Sequence, residues 1–526
     1  MAVVLTTGGG VQLSNRPVVA RALPLSCSDM VCGGRICALI GRETYVRRRP
    51  DGMVVALLLL ASAVRFPGLG ARSLWFDEAL SGLIAQLDAT QVLTNAAGSS
   101  HPPGYYFLLH LWCAPGGSEF VLRFPSVWFS LAAVALVARL GYGLFGPREA
   151  RLAALGMALA PFQVYYAQEA RMYGAAIALS AGVIWACLEG VRGYSRTAWW
   201  VYAILTALAL YTHYYVALVI LALHLYVLLD RRCAQQAVPS LLAADGLAAL
   251  IFAPQFAQFR AEAGEFLGSA RWRVVPSPLE PLRTLHYLLF GHVLPLGAVP
   301  LGLFLTLGLF AFGILWVFRR RDRAAGVLFL IVLVPVVVAL IVSLFVTPVY
   351  VERSFAVVTP ALMVLLARSV VTAPRRSPTP YLGAALVTLM VLGTALHHIR
   401  PDPAKPPLKE ALGVVRGEMK VSDWVLHLQD ASYLPALYYE PGKAGALVDV
   451  GQRLWLEPEV YVLLGGWVVQ SNDLASVNRW WLTVMPGYLD RAQRVSLNSW
   501  ECEFALLQSW DWDLVQVRLY SRGEGQ

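Results

Sequence analysis

Long apolar segments alternate with short polar loops along most of the chain. Each segment has about the length, roughly 20 residues, that a helix needs to cross the hydrocarbon core of a bilayer. The segments lie near residues 52–67, 121–145, 150–166, 174–191, 198–212, 213–229, 239–256, 299–318, 325–346, 355–372 and 380–397. This pattern predicts a mainly α, polytopic membrane protein with about eleven transmembrane helices. For residues 198–229, a single long helix is the alternative.

The composition also places the chain among membrane proteins, because 57% of its 526 residues are hydrophobic and only 14% are charged. The formal net charge of +9 would suit a nucleic-acid partner if the basic residues formed one surface. They form short groups between apolar segments instead, namely Arg47–Arg49, Arg148 with Arg151, Arg231–Arg232, Arg319–Arg321 with Arg323, and Arg375–Arg376. Such groups are typical of cytoplasmic loops, so we expect membrane lipids and no nucleic acid around this protein.

The basic groups also set the orientation of the predicted helices. If Arg47–Arg49 are cytoplasmic, alternation of the helices across the bilayer places all the basic groups in the cytoplasm. The opposite face then receives the motifs "WFDEA", "HPPGYY", "YYAQEARMY", "YTHYY" and "YVERS", together with a loop at residues 257–298 and everything after residue 398. Acidic, histidine and tyrosine side chains at helix ends are therefore expected to gather on the external side.

Two regions lie outside the predicted transmembrane domain, which covers residues 51–397. Residues 1–50 lack an apolar core followed by a cleavage site, so we expect a disordered cytoplasmic extension, with translation from Met53 as the alternative. Residues 398–526 begin with a proline-rich linker, after which "KEALGVVRGEM" has helical spacing. The segments "DWVLHLQ", "EVYVLLGG", "RWWLTVM" and "LVQVRLY" have the composition of strands. We therefore expect a small external α/β domain at 398–526.

Candidate chemistry begins with two adjacent carboxylates, Asp77 and Glu78, just outside the first apolar segment. As an isolated pair they also fit a solvated helix cap. The segment "HPPGYYFLLHLW" is too short to span a bilayer and predicts an amphipathic helix at the membrane surface. Glu169 and Arg171 are two positions apart and would point away from each other on a helix, so each needs a partner elsewhere.

The succession "WFDEA", "HPPGYY", "YYAQEARMYG", "YTHYY" and "YVERSFAVVTPALMVLLA" over residues 50–400 resembles the polytopic glycosyltransferases of the GT-C class. The likeness is to their bacterial branch, which is related to protein O-mannosyltransferases and the lipid A aminoarabinose transferase. It implies a GT-C type catalytic domain in the inner (plasma) membrane, with its active site on the external or periplasmic side. The implied reaction transfers a sugar from a polyprenyl-phosphate-linked donor to a hydroxyl of a lipid, glycan or protein acceptor.

By the same resemblance, Asp77 is the base that takes the acceptor proton, with Glu78 alongside it. Arg171 would bind the donor phosphate, since a guanidinium offers phosphate oxygens a fixed fork of hydrogen-bond donors. Two roles stay open for Glu169, holding a divalent cation or orienting the acceptor. The other substrate-binding residues that the resemblance implies are His101, Tyr105, Gln168, Tyr173, His213, Tyr214 and Arg353.

Several of these residues also have a simpler interpretation. Arg171 fits an interfacial anchor whose charged end reaches toward water, and His213 fits an aromatic belt at the membrane surface. Arg353 fits a local cap together with Glu352. His101 and His213 would either donate hydrogen bonds or ligate a metal, and the metal requirement stays unknown.

A polytopic transporter or flippase of lipid-linked sugars is the main alternative function. Charged residues inside a membrane often mark a transport path. Here the polar residues fall at the outer ends of the predicted helices, and the chain shows no paired halves of the kind that many transporters have. The pattern therefore favours an enzyme.

Overall fold

The computed structural model describes residues 51–94, 101–113, 117–193, 195–229, 231–269, 275–374, 376–400, 405–451, 454, 456–471, 477–512 and 514–522. The predicted extension, residues 1–50, lies outside the described residues. Below, residues 51–400 are called the helical region and residues 405–522 the C-terminal domain.

The helical region consists of α-helices joined by turns and short loops. Its described helices are α1 (Gly52–Arg65), α2 (Phe76–Gln86), α3 (Ala89–Leu93), α4 (Gly104–Trp112), α5 (Glu119–Phe145), α6 (Pro147–Leu159), α7 (Pro161–Ala167), α8 (Tyr173–Gly193), α9 (Arg196–Leu210), α10 (Val216–Leu229), α11 (Arg231–Ser269), α12 (Glu280–Phe290), α13 (Val299–Arg320), α14 (Arg323–Phe345), α15 (Thr359–Thr372) and α16 (Thr379–Ile399).

Every predicted apolar segment coincides with helix, which confirms a mainly α, polytopic membrane protein. Among the described residues, seven helical stretches, built on α5, α8, α11, α13, α14, α15 and α16, are long and apolar enough to cross a bilayer. The shorter helices α1, α9 and α10 are apolar as well. Residues 198–229 form two helices, because the chain turns at 211–215. The segment predicted at 150–166 is also broken, since Ala160 is extended and Pro161 begins a new helix.

One predicted loop is wrong. Residues 257–298 contain the last part of α11, which continues to Ser269, and the whole of α12. Residues 257–269 contain three alanines and two glutamates, which have high helix propensity, so the helix extends beyond its apolar part. In α12, Pro281 occupies the first turn, where its missing N–H costs nothing.

The C-terminal domain is an α/β domain, as predicted. Its elements are α17 (Leu408–Glu418), β1 (Trp424–His427), α18 (Asp430–Tyr439), β2 (Ala446–Asp449), α19 (Pro458–Leu463), β3 (Val468–Gln470), β4 (Arg479–Val484), α20 (Arg491–Glu503), β5 (Phe504–Asp511) and β6 (Gln516–Arg522). The strands form one sheet in the order β3-β2-β1-β4-β6-β5. Strands β1 to β4 pair in parallel, and β6 is antiparallel to β4 and β5.

The strand predicted at "EVYVLLGG" is wrong, because this segment forms helix α19. Parallel strands β2 and β3 need a crossover between them, which a helix normally supplies. Pro458 fits the first turn of that helix. Tyr461 and Leu464, three positions apart, are buried on one face, whereas Val462 is 61% exposed. The predicted strands β1, β4 and β6 and the helix α17 are confirmed, and β2, β3 and β5 were not predicted.

The C-terminal domain packs on the end of the helical region that carries α2. Leu74 N donates a hydrogen bond to Tyr439 Oη at 2.7 Å, and the Tyr438 hydroxyl donates to Gly117 O at 2.7 Å. Gly82 of α2 lies against the Tyr438 ring, where a Cβ would come within 2.5 Å of Cε2. Side chains of α18 share one hydrophobic core with those of the helical region. The two parts therefore meet at α2, which also carries the two predicted catalytic carboxylates.

Candidate active site

The N-terminal end of α2 lies beside residues 168–172, which join α7 to α8. Asp77 belongs to the first turn of α2. Its Oδ2 lies 3.4 Å from Arg353 Nη1 and 3.8 Å from Arg171 Nη2. Arg353 lies in the turn between α14 and α15. Three segments that are distant in sequence thus place one carboxylate between two guanidinium groups.

Arg171 is buried, yet its hydrogen bonds are long. Its Nη1 donates to the Asp77 carbonyl at 3.4 Å, and to the hydroxyls of Ser81 and Tyr106 at 3.3 Å each. Its Nε is also buried, and among the described residues no acceptor lies within hydrogen-bond distance of it. Because a buried donor without an acceptor is costly, this guanidinium has donor capacity to offer an anion beside Asp77.

Arg353 forms the more open side of this group. Its side chain is 33% exposed, against 5% for Arg171 and 12% for Asp77. Two guanidinium groups and one carboxylate carry a net positive charge. This arrangement suits a phosphate that approaches past Arg353, since arginine pairs bind phosphate oxygens through several donors at once.

The turn at 211–215 brings His213 to the same place. His213 Nδ1 accepts a hydrogen bond from Tyr215 N at 3.2 Å, which assigns the ring proton to Nε2. Burial, with the nearby charges of Arg171 and Arg353, lowers the pKa of His213 to about 3, so the ring is neutral. Its Nε2 is buried, and no described residue accepts a hydrogen bond from it. His213 is therefore a second donor that a ligand can use.

The loop before α4 contacts this turn through its backbone. Gly104 N donates to Tyr211 O at 2.8 Å, and a Cβ on Gly104 would lie 2.5 Å from that oxygen. Only glycine permits this approach. The contact brings the rings of His101 and His213 together, with their centroids 5.8 Å apart.

Tyr105 is connected to the Arg171 backbone through Ser126. Its buried hydroxyl pairs with Ser126 Oγ at 2.7 Å, and Ser126 Oγ donates to the Arg171 carbonyl at 3.1 Å. Tyr105 therefore holds the Arg171 backbone rather than its guanidinium.

The other two predicted tyrosines lie in different surroundings. Tyr173 is buried, with its ring centroid 5.8 Å from that of His213. Tyr214 is partly exposed and packs against Phe259 of α11, with ring centroids 4.9 Å apart. The structure thus brings Tyr173 into the group around His213, whereas the Tyr214 ring lies against α11.

Glu78 is bound by a different set of residues from those around Asp77. Arg123 of α5 donates to both of its carboxylate oxygens, at 2.7 and 2.8 Å, and Ala170 N donates at 3.0 Å. Lys405 Nζ lies 3.4 Å away. Burial alone would raise the pKa of Glu78, but Arg123 and Lys405 hold it well below its usual range. Glu78 thus anchors the backbone next to Arg171 as a permanent carboxylate.

Gln168 is fully engaged with protein groups. Its Nε2 donates to the carbonyls of Arg65 and Pro67, at 2.9 and 2.8 Å. Its Oε1 lies 2.9 Å from Nε2 of His397 on α16. These contacts fix the start of the segment 168–172.

Glu169 is buried as well, and its Oε1 lies 3.5 Å from Lys405 Nζ. Burial and Glu78 raise the pKa of Glu169, although Lys405 acts against them. The Lys405 ammonium lies between the two carboxylates, and no three His, Cys, Asp or Glu side chains of the described residues come together as metal ligands. This arrangement does not fit a divalent cation at Glu169, which was one of the two roles left open for this residue.

Arg123 and Lys405 were not predicted as site residues. Arg123 had a signal, because it is one of two arginines inside the apolar segment 121–145, where a charge is costly unless it is paired. Lys405 had none, since it lies in the proline-rich linker and only the fold brings it to Glu169. The prediction that Glu169 and Arg171 have separate partners is confirmed, with Lys405 for the first and Asp77 for the second.

Residues 100–257 match the sequence model of one protein family, described as dolichyl-phosphate-mannose-protein mannosyltransferase. No curated protein matches the chain by sequence. The crystal structure of ArnT from Cupriavidus metallidurans bound to undecaprenyl phosphate superposes with a TM-score of 0.61 at 14% identity, over 90% of this chain and 98% of that one. The apo state of the same protein gives a TM-score of 0.62 at 15% identity, over 89% and 98% of the two chains.

The chain has the GT-C glycosyltransferase fold. The resemblance inferred from the motifs is confirmed by these comparisons. Within this GT-C fold, the stretch that matches the mannosyltransferase family includes the loop at 101–104, the segment 168–172 and the turn at 211–215.

Proposed function

We propose that this protein is a membrane glycosyltransferase that transfers a sugar from a polyprenyl-phosphate-linked donor to an acceptor hydroxyl at the external face of the membrane. The placement of Asp77 between Arg171 and Arg353 carries this proposal, because it combines a proton acceptor with donors for an anion. The shared fold with an ArnT structure that holds undecaprenyl phosphate supports it. The family match at 100–257, described by dolichyl-phosphate mannose, points to the same class of donor.

The chemistry follows from the placement of these side chains. The acceptor oxygen forms a bond to the anomeric carbon while the bond from that carbon to the phosphate oxygen breaks. The electron pair leaves with the phosphate, so polyprenyl phosphate departs with one more negative charge. Arg171, Arg353 and His213 donate hydrogen bonds to its oxygens and stabilise the growing charge. Asp77 takes the proton of the acceptor hydroxyl.

Donor binding also prepares the base. Before the donor binds, Arg171 and Arg353 both face the Asp77 carboxylate. A phosphate competes with that carboxylate for the two guanidinium groups. Once they turn to the phosphate, the Asp77 carboxylate loses its two protein partners and its oxygens can face the acceptor hydroxyl.

Three further predicted site residues hold this arrangement in place. Glu78 accepts a hydrogen bond from Ala170 N, next to Arg171, and Gln168 fixes the start of the same segment. Glu169 pairs with Lys405. We therefore assign Glu78, Gln168 and Glu169 to positioning, and the contacts with phosphate and acceptor to the residues around Asp77.

The proposed location is the inner membrane of a bacterium, with the active site on its periplasmic side. Residues 51–397 form the proposed catalytic domain, and residues 398–526 form an external domain that packs on α2. The basic residues at 319–323 lie at the far end of α14 from Arg353, in keeping with a cytoplasmic turn. The transferred group is a hexosyl or pentosyl unit, and the acceptor is a lipid, a glycan or a protein.

Transfer of label from a radiolabelled polyprenyl-phosphate sugar tests the proposal. The purified protein in liposomes receives the labelled donor together with an envelope fraction as the source of acceptor. We expect label to leave the donor and unlabelled polyprenyl phosphate to appear, and Asp77→Asn to suppress both. A transporter or flippase would instead move the intact labelled donor across the vesicle bilayer without breaking it, and that result would reject the enzyme.

A further inference from the structure

A side chain from the linker to the C-terminal domain enters the candidate site. Lys405 lies between α16 and α17, and its side chain is only 4% exposed. Its Nζ lies 3.4 Å from Glu78 and 3.5 Å from Glu169, and it donates to the Gln168 carbonyl at 3.3 Å. The Tyr165 ring centroid is 5.6 Å away. Two carboxylates, a carbonyl oxygen and an aromatic face therefore surround one ammonium group.

The two carboxylates depend on this ammonium to different degrees. Glu78 has a bidentate pair with Arg123 and a hydrogen bond from Ala170 N. For Glu169, Lys405 is the ion-pair partner that the described residues supply. Tyr165 adds a side-chain hydrogen bond to the carboxylate, but none from the described residues reaches its Oε1. Without Lys405, two buried carboxylates would share one guanidinium. An uncompensated buried charge strongly destabilises the structure around it.

The chain that follows Lys405 is tied to the N-terminal end of α2. Four residues further along, Lys409 N donates to Ser73 Oγ at 3.2 Å, and Ser73 Oγ donates to Glu410 at 3.1 Å. Ser73 lies just before α2, four positions ahead of Asp77. The position of Lys405 is thus linked to the packing of the C-terminal domain against α2.

We propose that Lys405 is a positioning residue of the transfer reaction. Its ammonium neutralises Glu169 and so holds residues 168–172 in the conformation that places Arg171 beside Asp77. This inference rests on the proposed function, in which Arg171 binds the donor phosphate. It assigns to the linker of the C-terminal domain a direct part in assembling the catalytic site.

The proposal predicts a specific dependence on pH. The titratable and charged groups that face Glu169 are Asp77 and Glu78 of α2, Arg123 of α5, Tyr165 and Tyr166 of α7, Tyr173 of α8, and Lys405. If Lys405 is removed, the main compensating charge for Glu169 is gone. At low pH, Glu169 takes up a proton and the segment keeps its place. As the pH rises, Glu169 becomes an uncompensated anion and the segment moves.

Three variants test this dependence through single-turnover transfer at about pH 6 and about pH 8. For Lys405→Met, we expect a loss at about pH 8 that is at least about 10-fold larger than the loss at about pH 6. Adding Glu169→Gln should restore most of the activity at the higher pH, because the uncompensated charge is gone. Lys443→Met changes an exposed lysine of the same domain and should behave like the wild type. Equal losses at both pH values, or no rescue by Glu169→Gln, would overturn the proposal.

Thermal unfolding of the same set separates this inference from the proposed function. The midpoint of Lys405→Met should fall as the pH rises, and that of the double variant should not, whether or not transfer is detected. If Lys405→Met does not fold, the double variant should still fold, and its failure to do so would also contradict the proposal. If the variants show this dependence on pH but the wild type does not cleave the donor, the result rejects the glycosyltransferase function and leaves the role of Lys405 in place.

Discussion

Asp77 Oδ2 lies 3.8 Å from Arg171 Nη2, near enough for an ion pair and too far for a hydrogen bond. The two side chains therefore form an ion pair without a direct hydrogen bond, so each can still bind a substrate group. This loose pair is what a site needs if the same carboxylate must later accept a proton and the same guanidinium must bind a phosphate.

The first prediction concerns Asp77. Asp77→Asn keeps the shape of the side chain and removes its ability to accept a proton, so transfer should fall by about 10²-fold or more. Binding of the polyprenyl-phosphate donor should persist, because both arginines remain. Asp88→Asn is a matched control, since Asp88 caps the exposed helix α3 and asparagine caps as well as aspartate. Wild-type turnover in Asp77→Asn would move the base to another carboxylate.

Arg171 is the subject of the second prediction. Arg171→Lys keeps the charge and loses the fork of donors, so single-turnover transfer should fall by about 10-fold or more while donor affinity changes less. The loss falls on the chemical step because the phosphate gains charge as the sugar leaves. Arg148→Lys, at an exposed position near the start of α6, serves as the control. If Arg171→Lys retains full activity, Arg171 is an interfacial anchor and its catalytic role is withdrawn.

The parts of this site that sequence could predict are those where local pattern and chemistry coincide. Asp77, Arg171 and His213 each lie in a short polar stretch between apolar segments, and the fold brings those three stretches together. Helix periodicity and the roughly 20-residue length needed to cross a bilayer predicted where the apolar helices lie, but neither the full extent of α11 nor helix α12. What the motifs could not show was that the adjacent Asp77 and Glu78 have different partners.

The parts that could not be predicted depend on contacts between distant residues. Lys405 is separated from Glu169 by more than 200 positions, and nothing in the linker marks it as buried. The helix α19 was predicted as a strand because a short apolar run fits either element, and only the parallel pairing of β2 and β3 decides between them. The length of α11 was underestimated because its last residues are helical without being apolar.

His213 provides the third prediction, through two variants that differ in one donor. His213→Gln keeps an N–H donor, whereas His213→Phe keeps the bulk and loses the donor. If His213 donates to the phosphate, His213→Phe should lose about 10- to 100-fold in transfer, and His213→Gln should lose much less. Equal activity of the two variants would assign His213 to packing alone.

The fourth prediction uses the lowered pKa of His213. A histidine whose pKa falls from 6.5 to about 3 on folding contributes stability that is present above the ordinary value and is lost as the pH falls below it. The wild type should therefore lose up to about 1.4 kcal/mol of stability per pH unit that His213→Phe does not lose. Thermal or denaturant unfolding of the two proteins between about pH 7 and about pH 5 measures this difference. Parallel curves would mean that folding does not lower the pKa of His213.

The last prediction concerns the side of the membrane on which this site lies. Arg323 begins α14 and Arg353 follows its other end, and the 23 residues of this helix span about 35 Å, slightly more than the hydrocarbon core of a bilayer. The C-terminal domain packs on α2, at the end that carries Asp77, so it lies on the same side as Arg353.

A reporter fused after Arg323 should therefore behave as cytoplasmic and one fused after Gln526 as external. The positive-inside rule predicts that the side with the basic residues at 319–323 is the cytoplasmic one. If both reporters lay on one side, the orientation of α14 or of the C-terminal domain would be wrong. If the two sides were exchanged, the site would face the cytoplasm, and the proposed external transfer would fail even with the chemistry intact.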